Sequence, residues 1–161
     1  MTRPPIRTLE LSGTPEAIGH GHGKVFADEI RAYTKDRVQI VASGLWSGGS
    51  ISENEVIELA ESMLPAHQQF DEDLYAEMLA LANAAGITPA EAVIVGGFTD
   101  FVDVVRATIG GETPGELQED DCTAVLIPNS RAAGSGFLAH TWDMHDSATD
   151  HVILLKIKPV D

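Results

Sequence analysis

The sequence predicts an α+β protein in which N-terminal helices are followed by antiparallel strands. Three observations carry that expectation. Apolar residues recur at helical spacing through the first two thirds of the chain, bounded by capping residues. A glycine-, proline- and acid-rich stretch, Gly110 to Asp121, then breaks the periodicity. Beyond it come short apolar runs separated by turn residues, the pattern of strands. Runs of helices followed by runs of strands belong to the α+β class.

The first helix is announced by Thr14-Pro15, a hydroxyl to cap the free N–H groups and a proline at the first helical position. Ile18, His22, Val25, Phe26, Ile30 and Tyr33 follow at helical spacing and are expected to share one face of one helix. Gly44, Gly48 and Gly49 end that pattern. Ser52 and Glu55 have capping-box spacing and open a second helix, with Val56, Leu59, Ala60 and Met63 inward and Pro65 beyond its end. A third is expected from Asp71 to Ala85, with Leu74, Met78, Leu81 and Ala82 on one stripe and Gly86 as its stop. Thr88-Pro89-Ala90-Glu91 repeats the cap-plus-proline start. The apolar segment Val93 to Val105 reads as buried on several sides. Strands are expected over Cys122 to Ile127, Phe137 to Trp142 and His151 to Ile157, with a turn from Pro128 to Gly136. In the last, Val152, Leu154 and Lys156 fall on one face and Ile153, Leu155 and Ile157 on the other.

At 161 residues the chain is long enough to bury a core. No apolar run approaches a membrane span, and Met1 to Leu11 lacks the apolar stretch of a secretory signal, so a cytoplasmic protein that binds no membrane is expected. Twenty-five acidic residues against ten basic ones give a formal charge of −15. That balance speaks against nucleic acid or an anionic membrane as partner, and is read as serving solubility or salt tolerance. One cysteine excludes an intrachain disulfide.

That cysteine, Cys122, lies where the acidic loop becomes an apolar strand. A lone thiol in a strand is ordinarily a small hydrophobe. Its position allows another chemistry: the thiol attacks the carbonyl of Asp121, and the Asp121–Cys122 bond is exchanged for a thioester that water then releases. Cys122 becomes a chain terminus. Its α-amine, with a reference pKa of roughly 7.7–8.0, can take the proton from its own thiol. One residue then supplies nucleophile and base.

Two separated motifs bear on this. Gly13-Thr14-Pro15, followed by Gly19 and by His22-Gly23, resembles the opening of the acyl-coenzyme A:6-aminopenicillanic acid acyltransferase (isopenicillin N acyltransferase) family of N-terminal nucleophile hydrolases. Asp121-Cys122-Thr123 followed by Trp142-Asp143 is similar to the same family's nucleophile strand and the end of its next strand. The stretch from Glu77 to Phe101, with its Ile-Thr-Pro-Ala-Glu turn, fits the region upstream of that family's cleavage site. The resemblance covers most of the chain. It implies a precursor that cuts itself at Asp121–Cys122, whose pieces stay together as an αββα sandwich. Residues 1–121 would be the helical α portion and 122–161 the start of the β portion.

On this resemblance Cys122 is nucleophile and base, and Asp143 orients the α-amine and favours its protonated form. Trp142 matches the motif and also suits a core aromatic. The substrate class is a small amide or acyl donor, cleaved or transferred through a thioester acyl-enzyme, with no cofactor. The best-known members have glycine where this chain has Asp121. The family runs on for about as many residues again, with an oxyanion-hole asparagine in that part. The remaining β portion of the same precursor is therefore an expected partner, and a second copy of the chain is a further one. Since an oxyanion donor contributes roughly 3–4 kcal/mol, this chain by itself is expected to turn over slowly.

Two other readings remain open from the residues. One is a non-catalytic module that binds a partner through its acidic surface or a Phe98/Phe101 patch. The other is a metal-dependent hydrolase using His140, Asp143, His145 and His151, a set without recognised zinc spacing. His20 and His22 point in different directions on a helix and make a poor metal pair. Gly19, Gly21 and Gly23 are expected to admit the close approach of another element.

Overall fold

The computed structural model describes residues 6–110 and 122–160. The chain divides into two compact units, Met1–Thr113 with His151–Asp161, and Pro114–Asp150. The first holds β1 (Arg7–Gly13), α1 (Pro15–Val25), α2 (Ala27–Ser43), α3 (Glu53–Phe70), α4 (Glu72–Ala85), α5 (Pro89–Gly96), α6 (Phe98–Ile109) and β4 (Ile153–Pro159). The second holds β2 (Ala124–Ile127) and β3 (Phe137–His140).

The α+β class is as expected, but the strand arrangement needs correction. The described chain opens on a strand, β1, and β1 pairs with β4 in parallel, Leu9 opposite Leu155 and Leu11 opposite Ile157. Leu9, Leu11, Ile153 and Leu155 are half-buried, whereas Glu10, Leu154 and Lys156 are exposed, so each strand has one inward face. Lys156 Nζ reaches Glu10 Oε1 at 3.1 Å across the outer face. Among the described residues, only β2 and β3 pair antiparallel. His151, expected to open the last strand, is instead the end of a short 3₁₀ segment, and the strand begins at Ile153.

Helix starts follow their caps. Thr14 Oγ1 accepts from Ala17 N–H, with Pro15 in the first turn of α1. In α3 and α5 both bonds of the capping box form: Glu55 N–H to Ser52 Oγ with Ser52 N–H to Glu55 Oε2, and Glu91 N–H to Thr88 Oγ1 with Thr88 N–H to Glu91 Oε2. Gly44 and Gly86 end α2 and α4 at φ of 80° and 77°, where a side chain would be strained.

Two helix expectations fail. The periodic run from Ile18 to Tyr33 is two helices, broken at Phe26 (φ −111°, ψ 24°), and Val25 is exposed. Pro65 lies inside α3, which continues to Phe70. An interior proline removes its own N–H from the helical ladder and crowds the carbonyl four residues back, yet the helix runs on through mostly exposed residues to Phe70.

The core of this unit is made by Val38, Val41, Val56, Ala60, Ile94, Phe101 and Val105. Arg37 is also fully buried. Its guanidinium lies 4.5 Å from the Tyr33 ring centroid and 4.9 Å from that of Phe98, and it donates to Asp36 Oδ2 at 2.7 Å. Phe98 and Phe101 are therefore core residues, which removes the exposed aromatic patch that a binding module would use.

The glycine-rich stretch of α1 does what its composition suggests. A Cβ on Gly19 would overlap the Glu77 carbonyl, and one on Gly23 the Leu81 carbonyl, so α1 and α4 pack backbone to backbone. Residues four apart on one helix meet residues four apart on the other. Between them His22 is half-buried, edge-on to the Phe26 ring at 6.0 Å. Burial lowers the His22 pKa below its ordinary value. The unfolded chain then binds more protons than the folded one once the pH drops below about 6.5, so stability falls through that range. Urea midpoints measured from pH 8 to 5 are expected to decline more steeply for the wild type than for His22→Gln.

No single helix among the described residues is long and apolar enough to cross a membrane. α4 and α5 reach that length only as a pair bent by 110°.

Candidate functional site

The second unit is built on the β2–β3 hairpin, with Ala124 opposite His140 and Ile127 opposite Phe137. Asn129 closes its turn: the Oδ1 atom accepts from Gly136 N–H at 2.6 Å. Gly136 is required there, since a Cβ would overlap the Ile127 carbonyl. At the open end, Thr141 N–H donates to the Thr123 carbonyl at 2.8 Å, and Thr123 N–H donates to Thr141 Oγ1 at 2.9 Å. These bonds carry the pairing beyond the strands proper and bring Cys122 beside the start of the next segment.

Cys122 is exposed, and its Sγ accepts the backbone N–H of Asp143 at 3.3 Å. Two residues 21 apart in sequence are thus adjacent, and the adjacency runs through the Asp143 backbone. The Asp143 carboxylate is exposed. Trp142 is half exposed, at 49%, so it is not a core aromatic. Asp121 lies outside the described residues, and with it the carbonyl that the cysteine would attack.

The histidines do not assemble a metal site. His140 is exposed on β3, and His145 Nδ1 is engaged by Ser147 Oγ at 2.8 Å and by Ser147 N–H at 3.3 Å. His151 belongs to the helical unit. Among the described residues no group of three or more His, Cys, Asp and Glu side chains is placed to hold a metal ion. His20 is exposed on α1, apart from half-buried His22.

Sequence reasoning passed over two arrangements. The Ser147–His145 contact is local, two residues apart, and its only signal is the His-Asp-Ser triplet. The other is a cluster around Glu29, which accepts from Arg7 Nη1 at 2.6 Å and faces His151 Nδ1 at 3.7 Å. Its members are spread along the chain, and no local pattern links them. A groove of about 280 Å³, lined by Ile51, Glu55, Glu58, Leu59, Thr108 and Ile109, lies in the helical unit.

No family model matches this chain, and no curated protein matches it at a significant level.

Proposed function

We propose that the chain is a self-processing N-terminal cysteine enzyme, an amidohydrolase or acyltransferase acting on a small amide. The observation that carries this reading is the Asp143 N–H directed at the exposed Cys122 sulfur, which joins the Asp-Cys-Thr and Trp-Asp motifs at one end of a hairpin. In the processing step the Cys122 thiol adds to the Asp121 carbonyl. The Asp121–Cys122 C–N bond breaks as the C–S bond forms, and the proton of the thiol ends on the released α-amine. Water hydrolyses the thioester and leaves a carboxylic acid on Asp121.

In turnover the neutral α-amine of Cys122 takes the thiol proton, and the thiolate attacks the substrate carbonyl. The collapsing intermediate receives that proton on its leaving nitrogen. Water, or a second amine, then removes the acyl group. Asp143 has the charge to hold the ammonium form of the α-amine between these steps. An acyl-coenzyme A donor would bring phosphates towards a chain of formal charge −15, which favours hydrolysis of an amide. The αββα sandwich and the partnership with a further β portion belong to the same proposal.

Intact-mass measurement on purified protein tests it. Two masses that add to the precursor plus one water, with iodoacetamide labelling of Cys122, are expected. A single uncut mass with an inert Cys122 would reject the reading.

A further inference from the structure

The open end of the β2–β3 hairpin holds a backbone donor beside the candidate nucleophile. Antiparallel strands exchange hydrogen bonds through every second residue, and Thr141 N–H keeps that rhythm by donating to the Thr123 carbonyl at 2.8 Å. Two residues on, the Asp143 N–H is directed at the Cys122 sulfur, with N and Sγ 3.3 Å apart. A thiol sulfur is a weak acceptor, so this N–H gains little from it in the resting protein. The donor is nonetheless held in place. Thr123 N–H donates to Thr141 Oγ1 at 2.9 Å, tying the two segments together just behind it.

We infer that the Asp143 backbone N–H is an oxyanion donor for acyl transfer to Cys122, a role that rests on the reading of Cys122 as the nucleophile. When Sγ adds to a carbonyl carbon, the C–S bond forms and the π pair of the carbonyl moves onto oxygen. Oxygen and sulfur then share one carbon, so the negative charge develops within one bond angle of Sγ, where this N–H already points. A donor stabilises such an oxygen from roughly 2.7–3.1 Å, and a small swing from sulfur to oxygen brings the N–H into that range. The N–H thereby exchanges a weak neutral acceptor for a charged one, and its bond strengthens as the intermediate forms. Only interactions that strengthen in this way accelerate the step. On collapse the C=O bond re-forms, the C–N pair leaves with the nitrogen, and the nitrogen takes up the proton that came from the thiol. The donor belongs to the main chain, so its role is separate from that of the Asp143 carboxylate beside the α-amine.

The experiment compares two reagents on Cys122 in the full chain. p-Nitrophenyl acetate acylates the thiol through an oxyanion, whereas iodoacetamide alkylates it by direct displacement and forms none. The ratio of the two rates therefore cancels the ionisation and accessibility of the sulfur. Replacing the Trp142–Asp143 peptide bond by an ester removes this N–H and keeps the aspartate side chain. Loss of one donor from a water-excluded site costs about 100–1,000-fold; Cys122 and Asp143 are exposed, so the acylation-to-alkylation ratio is expected to fall about tenfold. An ester at the Asp143–Met144 bond controls for a loosened backbone, and Asp143→Asn for the carboxylate. Both are expected to keep the wild-type ratio. An unchanged ratio in the first ester variant, or an equal fall in the second, would overturn the donor. Neither rate requires the chain to be cut. A single uncut mass with the expected ratios rejects self-processing and leaves the donor standing, an unchanged ratio in a chain that cuts itself does the reverse, and a Cys122 inert to both reagents rejects both.

Discussion

Gly19→Ala is expected to destabilise the protein by about 2 kcal/mol, or roughly 4–8 °C in thermal midpoint for a chain of this size. Two effects oppose. Alanine in place of glycine within a helix contributes about 1 kcal/mol of propensity. Against it stands overpacking, commonly roughly 1–3 kcal/mol and larger where backbone must move. The obstacle at Gly19 is the carbonyl and Cα of Glu77, and at Gly23 the carbonyl of Leu81, so no side-chain rotation relieves either clash. Overpacking therefore wins at both positions, and Gly19→Val is expected to exceed Gly19→Ala. Gly21 lies on the same helix with the same propensity term, but its added Cβ would meet only the Leu11 Cδ2 atom at 2.7 Å. A leucine terminus can turn aside, so Gly21→Ala is expected to lie near zero. Thermal and urea denaturation of the three alanine variants checks the pattern. Equal losses at all three positions would mean that helix flexibility, rather than the backbone approach of α1 to α4, sets the effect.

The helical unit was legible where chemistry is local. Ser52 with Glu55, Thr88 with Glu91, and Thr14 with Pro15 each state a helix start within four residues, because a cap and the N–H groups it satisfies are neighbours in sequence. Gly19 and Gly23 announced a close approach but not its partner. What escaped depends on distant or distributed contacts. β1 shows only a brief Leu9-Glu10-Leu11 alternation, and its partner strand is 146 residues away at the Glu10–Lys156 contact. The break at Phe26 carries no glycine or proline, and the apolar period runs straight through it. Pro65 stays within a helix although proline is ordinarily a stop signal. At the candidate site, the placement of Asp143 beside Cys122 was implied by the motif resemblance and not by hairpin spacing, and the end of the hairpin does bring the Asp143 backbone to Sγ. That the contact would use the Asp143 backbone N–H was not readable, because an aspartate in a sequence announces its carboxylate.

That distinction shapes what the site variants should do. Cys122→Ala removes the attacking atom, so the chain is expected to stay uncut and to lose at least about a thousandfold in amide turnover. Cys122→Ser keeps a weaker nucleophile and is expected to cut slowly, which separates the processing geometry from the reactivity of sulfur. Asp143→Asn keeps the backbone N–H that faces Sγ and alters only the carboxylate. Iodoacetamide labelling of Cys122 should then survive, while kcat falls by about 10–100-fold through poorer placement of the α-amine. The pH profile supplies the sign. A carboxylate beside the α-amine favours its protonated form, so removing that charge lowers the amine pKa. The neutral amine needed to take the thiol proton then appears at lower pH, and the acid limb of the rate profile is expected to move to lower pH in Asp143→Asn. If the limb stays fixed while kcat falls, Asp143 acts only through its backbone and through the shape of the hairpin end. If kcat and the limb both match the wild type, the carboxylate has no part in the reaction, and Cys122 with its own α-amine carries the proton transfers alone.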